Sequence, residues 1–189
     1  APFKATRTTV HKTVKRALSK KNMVLLVHCT FSPSEPLLEF ARDIFLFSFY
    51  TRGMSLVDIV FLRKEHIFDN AIHYVRHKSS QPLRITITEP LAALIAQYDN
   101  DSPYIFPILR DNAPFSHYDQ YRSALARINR NLKRVGLKLG RTPPLTTYVA
   151  RHTWATLAKQ CGAPVAVISE GLGHASEKIT HIYLKEFDS

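Results

Sequence analysis

Between Ser116 and Gly136, the residues Tyr118, Tyr121, Leu125, Ile128, Leu132 and Val135 recur at alternating spacings of three and four. That rhythm follows the turn of an α-helix, so all six side chains lie along one stripe, which needs a second apolar surface to cover it. A strand, with its two-residue period, would scatter them over both faces. Ser116 stands where an N-cap oxygen belongs, and Gly136 stands where a helix can stop. Arg127, Arg130, Lys133 and Arg134 fall on the opposite face. A long helix, apolar on one side and cationic on the other, is the element around which the rest must pack.

Other segments punctuate themselves. Ser34-Glu35-Pro36 supplies an N-cap, an acid and a first-turn proline, which predicts a helix to about Tyr50 with Leu38, Ala41, Phe45 and Phe49 facing the core. Ser55 and Asp58 have capping-box spacing and start a second helix after the turn Thr51-Arg52-Gly53-Met54. Residues 72–76 and 83–87 alternate with period two around Lys78-Ser79-Ser80-Gln81-Pro82, a β-hairpin with Lys78 near its tip. Pro90 opens a short helix to Tyr98, and residues 99–114 read as loop. Thr146 or Thr147 caps a helix to about Gln160, Pro164 starts the next, and a Gly-Leu-Gly-His turn leads into a last short helix carrying Tyr183. The expected fold is mainly α with a small antiparallel sheet, an α+β chain without internal repeats. Residues 1–20 form a basic linker and first helix, and residues 21–189 form one domain.

Charge narrows the partner. Lys and Arg number 26 against 15 Asp and Glu, and residues 1–34 and 120–169 contain no acid at all. Such stretches suit a polyanion, because each phosphate neutralised by a cation releases condensed counterions. Lys15, Arg16, Arg127, Arg130, Lys133 and Arg134 are the candidate contacts. No apolar run approaches the roughly 20 residues that span a bilayer. Cys29 and Cys161 match no metal-ligand spacing, so two buried thiols in a reducing, cytoplasmic setting are expected.

Attack on a phosphodiester by a side-chain oxygen needs a nucleophile, cations on the non-bridging oxygens, a proton acceptor, and an acid for the leaving alkoxide. All four types occur here. Arg151, then Leu172-Gly173-His174, then Tyr183 nine residues after that histidine, resemble the C-terminal boxes of the tyrosine recombinase (phage integrase) family. Lys78 stands on the hairpin where that family places its catalytic lysine, and residues 51–67 resemble its first box.

The resemblance implies a tyrosine recombinase catalytic-domain fold and a specific chemistry. Tyr183 would attack a scissile phosphate of double-stranded DNA, giving a 3′-phosphotyrosine and a free 5′-hydroxyl. Arg151 and His174 would bind the non-bridging oxygens, and Lys78 would protonate the departing oxygen. No ATP, metal or other cofactor is needed. Partner protomers would join in a synaptic complex on DNA, and no membrane is involved. The family usually adds an N-terminal core-binding domain, which is not expected within these 189 residues. A non-catalytic DNA-binding module of the same fold and a type IB topoisomerase-like enzyme are the alternatives.

Two positions depart from the family pattern. Tyr148 occupies the place of a usual histidine three residues before Arg151, where a phenol can donate a hydrogen bond but is a poor base at neutral pH. Aligning Gly53, Asp58 and Ile59 with the first box puts Ser55 where an arginine belongs. Arg52 is the favoured substitute, with Arg76 as the alternative because strand residues i and i+2 would aim Arg76 and Lys78 the same way. His152 and Trp154 are expected to pack around the Arg151 helix, and His181 to be a solvated neighbour of Tyr183.

Overall fold

The computed structural model describes residues 17–140, 144–174 and 176–185. Lys15, Arg16 and most of the basic linker lie outside them. The elements in order are α1 (Lys20–His28), α2 (Pro36–Tyr50), α3 (Leu56–Val60), a 3₁₀ turn (Lys64–His66), β1 (Ile67–Phe68), β2 (Ala71–Val75), β3 (Pro82–Thr86), α4 (Glu89–Gln97), α5 (His117–Lys138), α6 (Thr147–Gln160), α7 (Val165–Leu172) and α8 (Glu177–Lys185). The chain is mainly α with one small antiparallel sheet, as its periodicities predict.

The α2 helix is the hub. Eight of its fifteen residues are buried, so it cannot face solvent along a full side, and it packs against α4, α5 and α6. Phe47 and Phe106 meet edge to face at 4.9 Å, an arrangement that suits the ring quadrupoles. Asp43 is also buried here, and its carboxylate is met by Arg42 Nε at 2.5 Å, Tyr98 Oη at 2.6 Å and Gln97 Nε2 at 3.2 Å. Loss of water still raises its pKa above the usual carboxylate value.

The α5 stripe is covered only toward its C-terminal end: Ile128, Leu132 and Val135 are buried, Tyr121 and Leu125 are half-buried, and Tyr118 is 63% exposed, while Ser116 Oγ accepts from the Asp119 amide at 3.1 Å. The helix runs through Gly136 to Lys138 rather than stopping at the glycine. A Cβ at Gly136 would stand 3.3 Å from Leu145, so the glycine serves close packing. The start of α6 is capped across chains of sequence, with the Thr147 amide donating to Asn129 Oδ1 of α5 at 2.9 Å. Ser55, expected as a capping-box residue, makes no side-chain cap; its hydroxyl goes to the Asp58 carboxylate instead.

The sheet has order β1-β2-β3, with Ile72 opposite Ile85 and Tyr74 opposite Leu83 on the core face. The two-residue β1 is too short to leave a periodic signal. Residues 99–114 form no helix, yet Tyr104, Ile105, Phe106 and Leu109 are buried. Neither cysteine is buried as expected: Cys29 is half-buried at the end of α1, and Cys161 is exposed at the end of α6. No helix among the described residues is long and apolar enough to cross a membrane.

A second, smaller core forms from Ala155, Ile168, Leu172 and Leu184, with Trp154 and Tyr183 packed against it. The α6 helix belongs to both cores, since Val149 and Ala150 face the main one. The cleft described next opens along that seam.

Candidate active site

One cleft of about 460 Å³ is lined by Ser55 beside α3, Arg76 and Lys78 from the hairpin, Tyr121 and Leu125 from α5, Tyr148 and Arg151 from α6, His174, and Tyr183 from α8. Chain segments more than a hundred residues apart therefore meet on one surface.

Arg151 sits in the first half of α6 and is 6% exposed. Its Nη1 donates to Gly53 O at 2.8 Å and its Nη2 to Leu172 O at 2.5 Å. Gly53 has φ +80, and a Cβ there would lie 2.7 Å from Arg151 Cγ, so only glycine allows this approach. Burial and the neighbouring Arg76 charge lower the Arg151 pKa to about 10, which leaves it protonated at neutral pH.

Arg76 follows β2 and is 8% exposed. Its Nη1 donates to Gly173 O at 2.6 Å, and Ser79 Oγ approaches the same carbonyl at 3.3 Å. The hairpin turn is closed by the Arg76 amide on Gln81 O and the Ser80 amide on Arg76 O. Lys78 lies exposed in that turn. None of the ion pairs among the described residues uses Arg76, Lys78 or Arg151. Three cations thus share a cleft without a carboxylate to neutralise them.

Arg52, the substitute favoured on sequence, does not line this cleft. It adopts a left-handed conformation, φ +58, and its Cδ comes within 3.3 Å of where a Gly171 Cβ would stand, against α7. Arg76 lines the cleft in its place.

His174 is half-buried, and its Nδ1 lies 2.8 Å from Thr180 Oγ1. Burial, with Arg151, Arg76 and Lys78 close by, pushes its pKa down to about 4, so the ring is neutral at pH 7. Tyr183 meets His174 edge to face at 5.5 Å and lies parallel to the His152 ring at 4.7 Å. His152 in turn meets Tyr148 edge to face at 4.1 Å. Packing was expected of His152; its direct stack on Tyr183 was not. Tyr148 itself is 51% exposed, at the mouth of the cleft.

The candidate DNA-contacting residues of α5 divide. Arg127, Arg130, Lys133 and Arg134 are all exposed, but at about 100° per residue they do not share a flank. Lys133, with the unanticipated Arg122, lies on the side of Tyr121 and Leu125. Arg130 points between the flanks. Arg127 faces a separate cleft with Arg110 and Phe115. Arg134 approaches Glu35 at 3.8 Å, beside the Lys138–Glu35 pair at 2.8 Å, so part of its charge is already met. Thr180 and Ser79 carry no sequence signal that separates them from other small polar residues, and only their contacts expose them.

The profile of the phage integrase family matches residues 16–189. The chain belongs to the phage integrase family. Among curated proteins, this integrase-family chain is 27% identical over 183 residues to "Tyrosine recombinase XerA" of Pyrococcus furiosus, covering 93% of this chain and 59% of that protein. It is 26% identical over 171 residues to "Transposase A from transposon Tn554" of Staphylococcus aureus, covering 78% and 45%. The chain thus spans about half the length of the curated relatives it matches. Among solved structures, the crystal structure of XerA recombinase superposes with TM-score 0.64 at 22% identity, covering 92% of this chain and 60% of that one. The Tn1549 transposon integrase in complex with a circular intermediate DNA superposes with TM-score 0.67 at 14% identity, covering 94% and 63%. The integrase-family fold extends over nearly the whole described chain. Its candidate site lies at the C-terminal seam.

Proposed function

We propose that the chain is the catalytic domain of a site-specific DNA recombinase or integrase, which cleaves and rejoins DNA through a phosphotyrosine for integration or excision of a mobile element. The observation that carries this reading is the convergence of Arg76, Lys78 and Arg151, in no ion pair with an acid among the described residues, on the cleft that Tyr183 lines. A phosphodiester supplies the missing negative charge, and its two non-bridging oxygens suit two fixed guanidinium groups.

In this reading the Tyr183 oxygen attacks phosphorus as its proton passes to water in the cleft, and the P–O bond to the 5′-oxygen breaks to leave a 3′-phosphotyrosine. Arg151 and Arg76 stabilise the charge on the non-bridging oxygens as the pentacoordinate state develops. Lys78 gives its proton to the departing 5′-oxygen. His174, neutral at pH 7, serves as a hydrogen-bond donor through Nε2 while the Thr180 hydroxyl donates to Nδ1. Tyr148, at the cleft mouth, offers its hydroxyl to the phosphate but stores no proton. A 5′-hydroxyl of another strand reverses the step. Each step is a transesterification, so bond energy is kept and neither ATP nor a metal ion is required. The partners are double-stranded DNA and further protomers in a synaptic complex, in a cytoplasmic, nucleoid-associated setting.

Incubation with nicked DNA, whose cleaved end diffuses away, tests the reading. It should trap a covalent protein–DNA species that Tyr183→Phe abolishes. Binding without any adduct would leave a DNA-binding module, and site-independent plasmid relaxation would point to a topoisomerase.

A further inference from the structure

Asp58 is a buried carboxylate, its side chain 1% exposed, and it has no arginine or lysine within ion-pair distance among the described residues. Isolated in that way, a carboxylate would pay a large desolvation cost unless both oxygens were hydrogen-bonded. They are. Oδ2 accepts from Ser55 Oγ at 2.5 Å, and Oδ1 accepts from both the His77 amide at 2.9 Å and His77 Nδ1 at 3.0 Å. Ser55 is the residue that stands in place of the first-box arginine, so Asp58 is held by that hydroxyl and by a histidine on a different element instead of by a cation.

His77 lies between Arg76 and Lys78, at the start of the hairpin turn. Its ring, 49% exposed, meets Asp58 through Nδ1 and lies 5.3 Å from the Phe61 centroid. The residues flanking His77 and Lys78 rest on the Gly173 carbonyl, through Arg76 on one side and Ser79 on the other. The turn is therefore pinned at two places: to α3 through His77, and to the end of α7 through Arg76. Lys78 itself makes no ion pair and is exposed. Its position over the cleft depends on its neighbour.

We propose that His77 is a positioning residue for proton transfer: held by Asp58 from α3, it fixes the hairpin turn so that Lys78 reaches the departing oxygen. The proposal rests on the strand-cleavage reading above and adds a residue to it. Loosening the grip leaves the arginines in place, through Gly173 and Gly53, but lets Lys78 wander. The loss is then confined to leaving-group protonation.

A pair of nicked substrates separates this from a structural role. One carries the ordinary 5′-oxygen at the scissile bond, and the other carries sulfur there, whose thiolate departs without a proton. On the oxygen substrate, His77→Ala should slow adduct formation about tenfold, within the range that positioned general acids supply. On the sulfur substrate it should match the unaltered chain within about twofold, as Lys78→Ala should. His77→Asn, whose side-chain amide can still donate to Asp58, should restore most of the rate on oxygen. Equal loss on both substrates by His77→Ala and His77→Asn, or no loss on either, overturns the proposal while leaving strand cleavage intact. Absence of any adduct from the unaltered chain on both substrates overturns both.

Discussion

Arg151 and Arg76 donate to successive carbonyls at the end of α7, Arg151 Nη2 to Leu172 O at 2.5 Å and Arg76 Nη1 to Gly173 O at 2.6 Å. Two like charges are held side by side by backbone dipoles instead of by acids. Burial, and after it the Arg76 charge alongside, lower the Arg151 pKa, a penalty on the charged form. An anion between them relieves it.

Arg76→Ala should reduce adduct formation on nicked DNA by about 10²-fold or more, the usual consequence of losing one charge-stabilising donor. Arg76→Lys should restore little, because a point charge cannot span both Gly173 O and a phosphate oxygen. Arg52→Ala, by contrast, should leave the rate nearly unchanged. A large loss in Arg52→Ala with none in Arg76→Ala would reverse the assignment.

Thr180→Val should slow adduct formation about tenfold without weakening DNA binding, since a buried hydrogen bond is lost at His174 Nδ1 and its tautomer is no longer set. Thr180→Ser keeps the hydroxyl and should keep the rate. Single-turnover cleavage and a binding titration on the same DNA distinguish the two effects.

His174 also links stability to pH. Its folded pKa of about 4 lies below the ordinary 6.5, so the unfolded chain binds the extra proton first as pH falls. Its contribution is fully present above pH 6.5, shrinks as pH falls toward 4, and is constant below that. In chemical denaturation, His174→Gln should therefore lose less stability than the unaltered chain between pH 6.5 and 4. Parallel curves would show that His174 titrates normally.

DNA affinity should fall with salt, and Arg122→Ala and Lys133→Ala should each reduce the slope of log K against log salt by about 0.9 if each meets one phosphate. Arg134→Ala should change it less, because Glu35 already lies nearby. Equal effects from all three would place the DNA along the whole exposed face of α5.

Much of the fold was legible because its signals are local. Pro36 at the start of α2, Ser116 before α5 and the alternation of residues 72–76 act within a few residues of themselves, and the elements they announce are present. The irregular segment holding Tyr104 to Leu109 was not legible as core, because burial there follows from long-range packing without a period to reveal it. In the candidate site, the positions of Arg151, Lys78, His174 and Tyr183 on one cleft follow the order of the boxes. The direction of Arg52 does not.

The sequence by itself determined the element types, the cationic excess and the presence of each chemical group that strand cleavage needs. Tertiary structure alone decided which arginine lines the cleft and what holds the hairpin turn that carries Lys78. The reason is range. Arg151 is bonded to a carbonyl 98 residues away and Arg76 to one 97 residues away, while the Arg52 side chain lies against Gly171 of α7. Periodicity and capping act over a turn or two of chain. Guanidinium direction is set by contacts that no local pattern records.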